Sequence, residues 1–295
     1  MAIRQFIDQA LDDHATMAAA VAARLPQGFA LLADEPGEAE AFARMTEHVV
    51  LGHLDDAPAL AGWIERLHPL AERNPGLGTA LARSRVAVAL AEGKVPGETA
   101  LPVAEQVRAY GNALLALTRR SAWNDIRVLL AAVQDTADGA GDPVALRSMG
   151  AITNNLAGDL RFYHPEHASD PDYAALMVDA ARLARTAWNR AGGWLEKERA
   201  DYQLAMCLAA AGDGRAALDA ASAAWQACGA NDADDEECFY VLEALARAHC
   251  AAGQLVEARE ARAAMAERLA RLASGAQAYA RTQLVELDRV LAGAA

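Results

Sequence analysis

One short stretch of the sequence, His164-Pro165-Glu166-His167, gathers residue types that bind metal ions. Two imidazoles three residues apart, beside Glu166 and Asp170, offer donor atoms that a divalent metal accepts. Pro165 places them in a predicted loop, whereas a metalloprotease motif sets two histidines four residues apart on a helix. We therefore predict no metal site and interpret the stretch as a solvated loop whose imidazoles cap neighbouring helix ends. If a metal does bind, His164 and His167 are the candidate ligands.

Of the remaining histidines, His48 and His53 flank Gly52 at a predicted turn, and His14, His68 and His249 lie singly in predicted helices. Lone histidines of this kind are interpreted as partly buried polar residues. His249 is followed directly by Cys250, and neighbours on a helix point about 100° apart, so these two do not form a nucleophile and base pair. The sequence contains no nucleophile elbow, phosphate-binding loop or dinucleotide-binding motif. It predicts a protein that is not an enzyme and that needs no cofactor.

Charge and hydropathy argue against two classes of partner. The 295 residues carry a formal net charge of −13, whereas binding to nucleic-acid phosphates requires clustered Lys and Arg. The first 25 residues lack a basic segment followed by an uninterrupted apolar run, so no secretory signal is visible. No apolar run reaches the roughly 18 residues that a membrane-spanning helix needs. We expect a cytoplasmic protein that binds neither nucleic acid nor membranes.

The four cysteines lie in the last hundred residues, at Cys207, Cys228, Cys238 and Cys250. They contain no C-x-x-C pair, which a zinc site would usually show. We predict free thiols that are buried as small apolar groups.

Helix-forming composition runs through the whole chain. Alanine dominates, Val, Ile and Thr are sparse, and no stretch alternates β-branched with polar residues. Between Ile3 and Val21 the apolar residues recur at intervals of three and four, which defines one helical stripe. The sequence predicts an all-α protein of about thirteen helices, mostly in antiparallel pairs, with capping helices at 2–24 and 277–291.

Two stretches in the last third of the chain repeat one pattern. Leu204-Ala205 is followed by Gly212, and Leu245-Ala246 is followed at the same offset by Gly253. Each copy is an apolar helix, a Gly-centred turn and an Ala-rich helix, and the two glycines lie 41 residues apart. This is the pattern of a helical-hairpin repeat.

The same spacing recurs less regularly in the first part of the chain, where Gly52 and Gly93 are again 41 residues apart. We therefore expect one continuous helical-repeat array over 1–295, clearest at 194–273. The turn-rich stretch 138–143 is the place where a domain boundary could fall.

These units resemble the tetratricopeptide repeat. The residues that carry the resemblance are Leu204-Ala205, Gly212-Asp213, Ala217-Leu218 and Ala224 in one unit, and Leu245-Ala246, Gly253 and Ala258 in the next. His249 departs from the bulky aromatic that is usual there, and both units lack the closing Pro. The stretch from Asn154 to Gly212 also resembles uncharacterised bacterial helical-repeat proteins. The resemblance implies a right-handed superhelix whose concave groove, lined by the first helix of each pair, binds peptides.

The resemblance also implies which side chains face that groove. They are Asn154, Arg161, Arg199, Tyr202, Met206, Tyr240, Glu243 and Arg247, together with the smaller residues Ala151, Gly158, Ala209 and Cys250. On each helix they are three or four residues apart and so share one face. An Asn amide pairs with a peptide backbone, Arg holds a carboxylate bidentately, and Tyr offers a flat surface with a hydroxyl. The alternative is a solvated polar face without a ligand.

The sequence thus favours a non-enzymatic scaffold that binds a protein or peptide segment. The net charge of −13 suits a basic partner, and the groove arginines suit a partner that presents a carboxylate. Two other functions stay open. One is a sensor or regulatory subunit that binds a small molecule or a short signalling peptide in the same groove. The other, ranked last, is a metal-dependent enzyme built around His164 and His167.

Overall fold

The structure, a computed structural model, describes residues 2–94 and 99–293, and these residues form helices and turns without a strand. The first helices are α1 (Ile3–Leu31), α2 (Ala39–Glu47), α3 (Ala57–Ala71), α4 (Pro75–Ala91), α5 (Val103–Arg119), α6 (Trp123–Ala140) and α7 (Pro143–Tyr163). They are followed by α8 (Pro171–Ala191), α9 (Trp194–Ala210), α10 (Gly214–Ala230), α11 (Asp235–Ala251), α12 (Leu255–Leu269) and α13 (Ser274–Gly293). The predicted all-α fold with about thirteen helices is confirmed, and neighbouring helices pack together.

The chain divides into two compact units, Met1–Ile152 and Thr153–Ala295, called unit 1 and unit 2 below. The division falls within α7. No helix among the described residues combines the length and the apolar character needed to cross a bilayer.

In unit 1, α1 is longer than its sequence pattern indicated. The sequence suggested an end near residue 24, with Pro26 in a loop, but the helix continues to Leu31. Its last turns are held by tertiary packing, because Leu25 is fully buried and the Phe29 ring lies 6.0 Å from that of Trp63. A Pro inside a helix is tolerated where such packing outweighs the lost hydrogen bond.

A π-helical segment, His48–His53, continues α2 in place of the predicted stop near Gly52. The next two helices begin at capping residues. The Asp56 side chain accepts a hydrogen bond from Ala59 N at 2.9 Å, and that of Asn74 accepts one from Leu77 N at 3.1 Å. Such caps satisfy amides that have no partner within the helix.

In unit 2 the two predicted helix-turn-helix units are α9–α10 and α11–α12. Each turn contains a glycine in the left-handed region, Gly212 with φ 80° and Gly253 with φ 74°. Gly214, the first residue of α10, lies directly against the second turn, since an added Cβ would come within 2.3 Å of Ala252 N. The hairpins are therefore in backbone contact at this point.

The helix α13 closes the core of unit 2 with leucines. Leu284 and Leu287 are buried against Phe239 and Met265, whereas Val285 is half exposed. The four cysteines are free, as the sequence predicted; Cys207, Cys228 and Cys238 are also buried as predicted, whereas Cys250 is only partly buried.

Candidate functional site

Unit 2 contains two cavities on the face that the sequence marked as a groove. The first, here called the acidic cavity, has a volume of about 450 Å³ and is lined by Asn154, Glu198, Arg199, Tyr202, Gln203, Asp234, Glu236, Glu237 and Tyr240. The second, the apolar cavity, measures about 740 Å³ and is lined by Arg161, Phe162, Pro165, Met206, Ala209, Ala210, Arg247, Cys250, Ala251, Tyr279, Thr282, Gln283, Glu286 and Val290. Both volumes are in the range of ligand pockets, roughly 300–1,000 Å³.

Seven of the eight side chains assigned to the groove lie in these cavities. Four line the acidic cavity, namely Asn154, Arg199, Tyr202 and Tyr240. Three line the apolar cavity, namely Arg161, Met206 and Arg247. Glu243 lines neither wall. It is 1% exposed, and its Oε1 accepts a hydrogen bond from Arg247 Nε at 2.8 Å, so it positions that guanidinium from beneath.

The acidic cavity contains more negative than positive side chains. Glu236 and Glu237 come from the first turn of α11, and Glu198 comes from α9. Arg199 faces Glu237 across the cavity, with its Nε 3.1 Å from Oε1. The guanidinium that the sequence assigned to a ligand carboxylate therefore already has a carboxylate partner.

Glu198 is the most unusual group in this cavity. It is 1% exposed, and burial together with the adjacent Glu237 raises its pKa to about 8. Its carboxyl group is consequently largely protonated at neutral pH. Glu198 Oε2 and Asn154 Oδ1 are both buried and have no hydrogen-bond partner within the part of the chain that the structure describes.

A row of three tyrosines connects the two cavities. The ring centroids of Tyr202 and Tyr240 are 6.4 Å apart, and so are those of Tyr240 and Tyr279. Tyr202 and Tyr240 line the acidic cavity, whereas Tyr279 lines the apolar one. Burial and the nearby Glu243 raise the pKa of Tyr202, which keeps its hydroxyl protonated. The cavities thus share an aromatic wall, and one extended ligand can reach both.

The apolar cavity combines exposed hydrophobic surface with two arginines. Phe162 and Tyr279 both line it and are 61% and 55% exposed, so two large apolar side chains of one concavity are open to solvent. Arg161 Nε is buried and has no hydrogen-bond partner among the described residues. The cavity can hold an apolar side chain and, at Arg161, a hydrogen-bond acceptor.

Some of the lining residues were not found from the sequence. Glu236 and Glu237, at the start of α11, were not among the predicted groove positions. The helix α13, which supplies Tyr279 and Glu286, was predicted only as a capping helix. The acidic stretch that precedes α11 was the signal available for the first group. For α13 the sequence held none, because it belongs to no repeat.

No family model matches the sequence, and no curated protein matches it either.

The histidines form two groups in the structure. His164 Nδ1 and His167 Nε2 each lie 3.7 Å from Glu166 Oε1, on the 3₁₀ turn Pro165–His167. The second group was missed by the sequence analysis, which placed His48 and His53 on either side of a turn at Gly52 and His14 singly in a helix. Their potential ligand atoms lie within 4.8 Å of one another in unit 1. Burial lowers the pKa of His48, and burial together with His48 lowers that of His53 to about 3.

Proposed function

We propose that unit 2 is a tetratricopeptide-like module, wound as a right-handed superhelix, that binds an extended peptide segment on its concave face. A basic side chain occupies the acidic cavity, and an apolar residue of the same segment occupies the apolar cavity. The observation that carries this proposal is a pair of buried oxygen atoms, Glu198 Oε2 and Asn154 Oδ1, which belong to lining residues of the acidic cavity and have no hydrogen-bond partner among the described residues. Buried polar atoms of this kind normally have partners, so a donor from a ligand is the natural complement.

The charge of the acidic cavity supports a cationic ligand. Asp234, Glu236 and Glu237 face a single cation, Arg199, among the lining residues, and Glu198 adds a fourth carboxyl group that a nearby cation would ionise. The raised pKa of Glu198 reflects a carboxylate that is unfavourable in its charged form in this place. A Lys or Arg side chain, or an amino terminus, supplies the missing positive charge and donates several hydrogen bonds.

The apolar cavity supports a peptide rather than an isolated cation. An apolar side chain of the ligand would remove the exposed surface of Phe162 and Tyr279 from water, and this burial favours binding. Arg161 and Arg247 add donors for a backbone carbonyl or a carboxylate. The tyrosine row between the cavities offers a flat surface over which a peptide backbone can run.

The test is to select peptides that bind the native protein from a displayed library of random heptapeptides. The expected result is enrichment of peptides with a Lys or Arg close to an apolar residue. Selected peptides without basic residues, or no selection at all, would show that the groove does not have this function.

A matched pair of charge reversals then locates the interaction. Glu236 lines the acidic cavity, whereas Glu257 lies in the first turn of α12 and lines neither cavity; both side chains are exposed. We expect Glu236→Lys to weaken binding of a selected peptide by about tenfold or more, since a lost charge-assisted contact is worth roughly 1.5–3 kcal/mol. Glu257→Lys changes the net charge equally and should leave the affinity within about twofold. Equal effects of both variants would mean that only the overall charge attracts the peptide.

The size of the acidic cavity favours a second candidate, a sensor for a small cationic molecule. About 450 Å³ is enough for such a ligand without use of the apolar cavity. The two functions differ at Met206, which lines only the apolar cavity. Met206→Ala should lower the affinity for a peptide that spans both cavities and leave the affinity for a small cation unchanged.

A further inference from the structure

Unit 1 brings His14 next to His48 and His53, which lie more than thirty residues further along the chain. The potential ligand atoms of His14, His48 and His53 lie within 4.8 Å of one another. Their ring centroids are 4.8 to 4.9 Å apart. All three side chains are partly exposed, so an ion can reach them from solvent.

The π-helical segment His48–His53 creates this cluster. On an α-helix, residues five positions apart point about 140° away from each other. A π-helix widens the turn to i→i+5 hydrogen bonding, and His48 Nε2 and His53 Nε2 lie 3.3 Å apart. The helix α1 contributes His14, close to Met17, where its backbone leaves helical geometry (φ −133°, ψ 35°). Single π turns inside helices occur frequently at functional sites.

Hydrogen bonds direct two of the imidazoles toward a common point. Asn112 Nδ2 donates to Glu47 Oε1 at 2.7 Å, so Asn112 Oδ1 is the acceptor that faces His48 Nδ1 at 2.9 Å. His48 Nδ1 therefore carries the hydrogen, and its Nε2 keeps a lone pair for a metal. His14 Nδ1 donates to the Leu11 carbonyl in the same way, which leaves His14 Nε2 available.

The amide behind His48 is fixed by a buried polar network. Glu47 is fully buried, and its Oε2 accepts hydrogen bonds from Arg83 Nη2 at 2.9 Å and from Ser84 Oγ at 2.7 Å. Arg83 Nη1 also donates to Glu105 Oε2 at 3.1 Å. Metal-binding histidines characteristically donate their second ring nitrogen to a group that is itself held in this manner. A histidine that is merely solvated does not require such support.

We propose that His14, His48 and His53 bind a zinc ion through their imidazole nitrogens. Tetrahedral zinc with Zn–N distances of 2.0–2.1 Å sets two ligating nitrogens about 3.3 Å apart. The separation of His48 Nε2 and His53 Nε2 is 3.3 Å. Three protein ligands leave the fourth position to water or to a ligand from solution. This site lies in unit 1 and is independent of the peptide groove proposed for unit 2.

Arg119 must move for His53 to ligate through Nε2. Its Nη2 lies 3.4 Å from His53 Nδ1, which accepts in that arrangement, whereas ligation through Nε2 places the proton on Nδ1. The side chain is exposed, so the guanidinium can turn into water. Removing it in Arg119→Ala takes away a competing donor and a positive charge. That variant should bind zinc several-fold more tightly.

The loop group of His164, Glu166 and His167 is the weaker zinc site. Its ligand atoms also lie within 4.8 Å of one another. All three residues lie within four positions of the chain, and the Glu166 side chain is 62% exposed, so that carboxylate is more solvated than the imidazoles of the first group. This group therefore serves as an internal control.

The experiment measures zinc binding to the metal-free full-length protein. Zinc sulfate is titrated into the protein in the presence of a competing chromophoric chelator. The number of zinc ions bound per protein molecule is measured by elemental mass spectrometry. His14→Ala removes a ligand on a partly exposed position and should fold normally, as circular dichroism checks. Asn112→Ala removes the amide behind His48. The controls are His68→Ala, at an exposed helical position, and the double variant His164→Ala/His167→Ala.

We expect one zinc ion whose affinity falls about 100-fold or more in His14→Ala and about 10–100-fold in Asn112→Ala. Both control variants should bind one zinc ion with the affinity of the native protein. Cobalt in place of zinc should give the intense visible d–d bands of a four-coordinate ion, and these should be lost in His14→Ala. The proposal is overturned if the native protein binds no zinc, if folded His14→Ala binds it as tightly, or if only the loop variant loses it.

Discussion

At the scale of single residues, the environment of Glu198 decides what the acidic cavity can bind. Burial and the adjacent carboxyl of Glu237 raise its pKa to about 8, Asp201 acts in the same direction, and Arg199 opposes them. A protonated carboxyl donates a hydrogen bond, whereas an ionised one attracts a cation. The cavity therefore has two chemical forms near neutral pH, and a ligand selects one of them.

Binding of a basic peptide should release a proton from Glu198. A cation near this carboxyl favours its charged form and lowers its pKa, so affinity should rise as the pH increases toward about 8 and level off above it. Calorimetric titrations at pH 6.5 in buffers of different ionisation enthalpy measure the release directly. In Glu198→Gln, whose side chain stays neutral, most of the release should disappear. Buffer-independent heats for the native protein would contradict the prediction.

At the scale of elements, the hairpins of unit 2 depend on one close backbone contact. Gly214 begins α10 where an added Cβ would come within 2.3 Å of Ala252 N and 2.4 Å of the Ala251 carbonyl carbon. Both atoms belong to the backbone at the end of α11, so neither can move aside as a flexible side chain would. The contact sets how closely one hairpin stacks on the next.

Gly214→Ala should therefore destabilise unit 2 by about 2 kcal/mol or more, since overpacking a close contact costs roughly 1–3 kcal/mol. Gly229→Ala is the matched control, because the same change near the other end of α10 meets no atom within 4 Å. That variant should be neutral or slightly more stable through its better helix propensity. Urea unfolding of the two variants measures the difference. Equal stabilities would mean that the hairpins can shift without loss.

At the scale of the whole molecule, the two units differ in how protons affect them. In unit 1, burial alone would raise the pKa of Glu105, but Arg83 and Arg108 outweigh it and hold that pKa below its usual range. In unit 2, the pKa of Glu198 is raised. A carboxyl with a lowered pKa in the folded state loses its stabilising effect as the pH falls below its ordinary pKa, and one with a raised pKa costs stability as the pH rises above its ordinary pKa.

The stabilities of the two units should thus change in opposite directions with pH. As the pH falls below about 4.5, Glu105 takes up a proton and unit 1 loses stability. As the pH rises from about 4.5 to 8, unit 2 loses stability, because the unfolded chain releases the Glu198 proton at a lower pH than the folded protein does. Amide hydrogen exchange, corrected for intrinsic rates, measures the two stabilities separately, since α4 reports on unit 1 and α9 on unit 2. Glu198→Gln should reduce the pH dependence of stability in unit 2 and leave that of unit 1 unchanged. If the stabilities of both units in the native protein changed with pH in the same way, the prediction would be wrong.

The sequence by itself determined the elements that depend on neighbours along the chain. Alanine-rich helices, the glycine turns at Gly212 and Gly253 and caps such as Asp213 follow from local propensity, and all are present in the structure. The resemblance to the tetratricopeptide repeat implied Asn154, Tyr202 and the other groove positions, and their spacing of three and four residues puts those on one helix on a common face. Their role in binding a ligand stays a prediction.

Only the tertiary structure decided which side chains meet across elements. Arg199 pairs with Glu237 from the next hairpin, and α1 continues through Pro26 because packing holds its end. His53 meets His48 because a π-helical turn changes the direction of side chains, and the packing of α1 adds His14, which no α-helical or β-strand period predicts. The contacts of Arg199 and His14 join residues separated by more than thirty positions. Their free energy comes from burial and charge in the folded chain, and a local pattern carries no information about either.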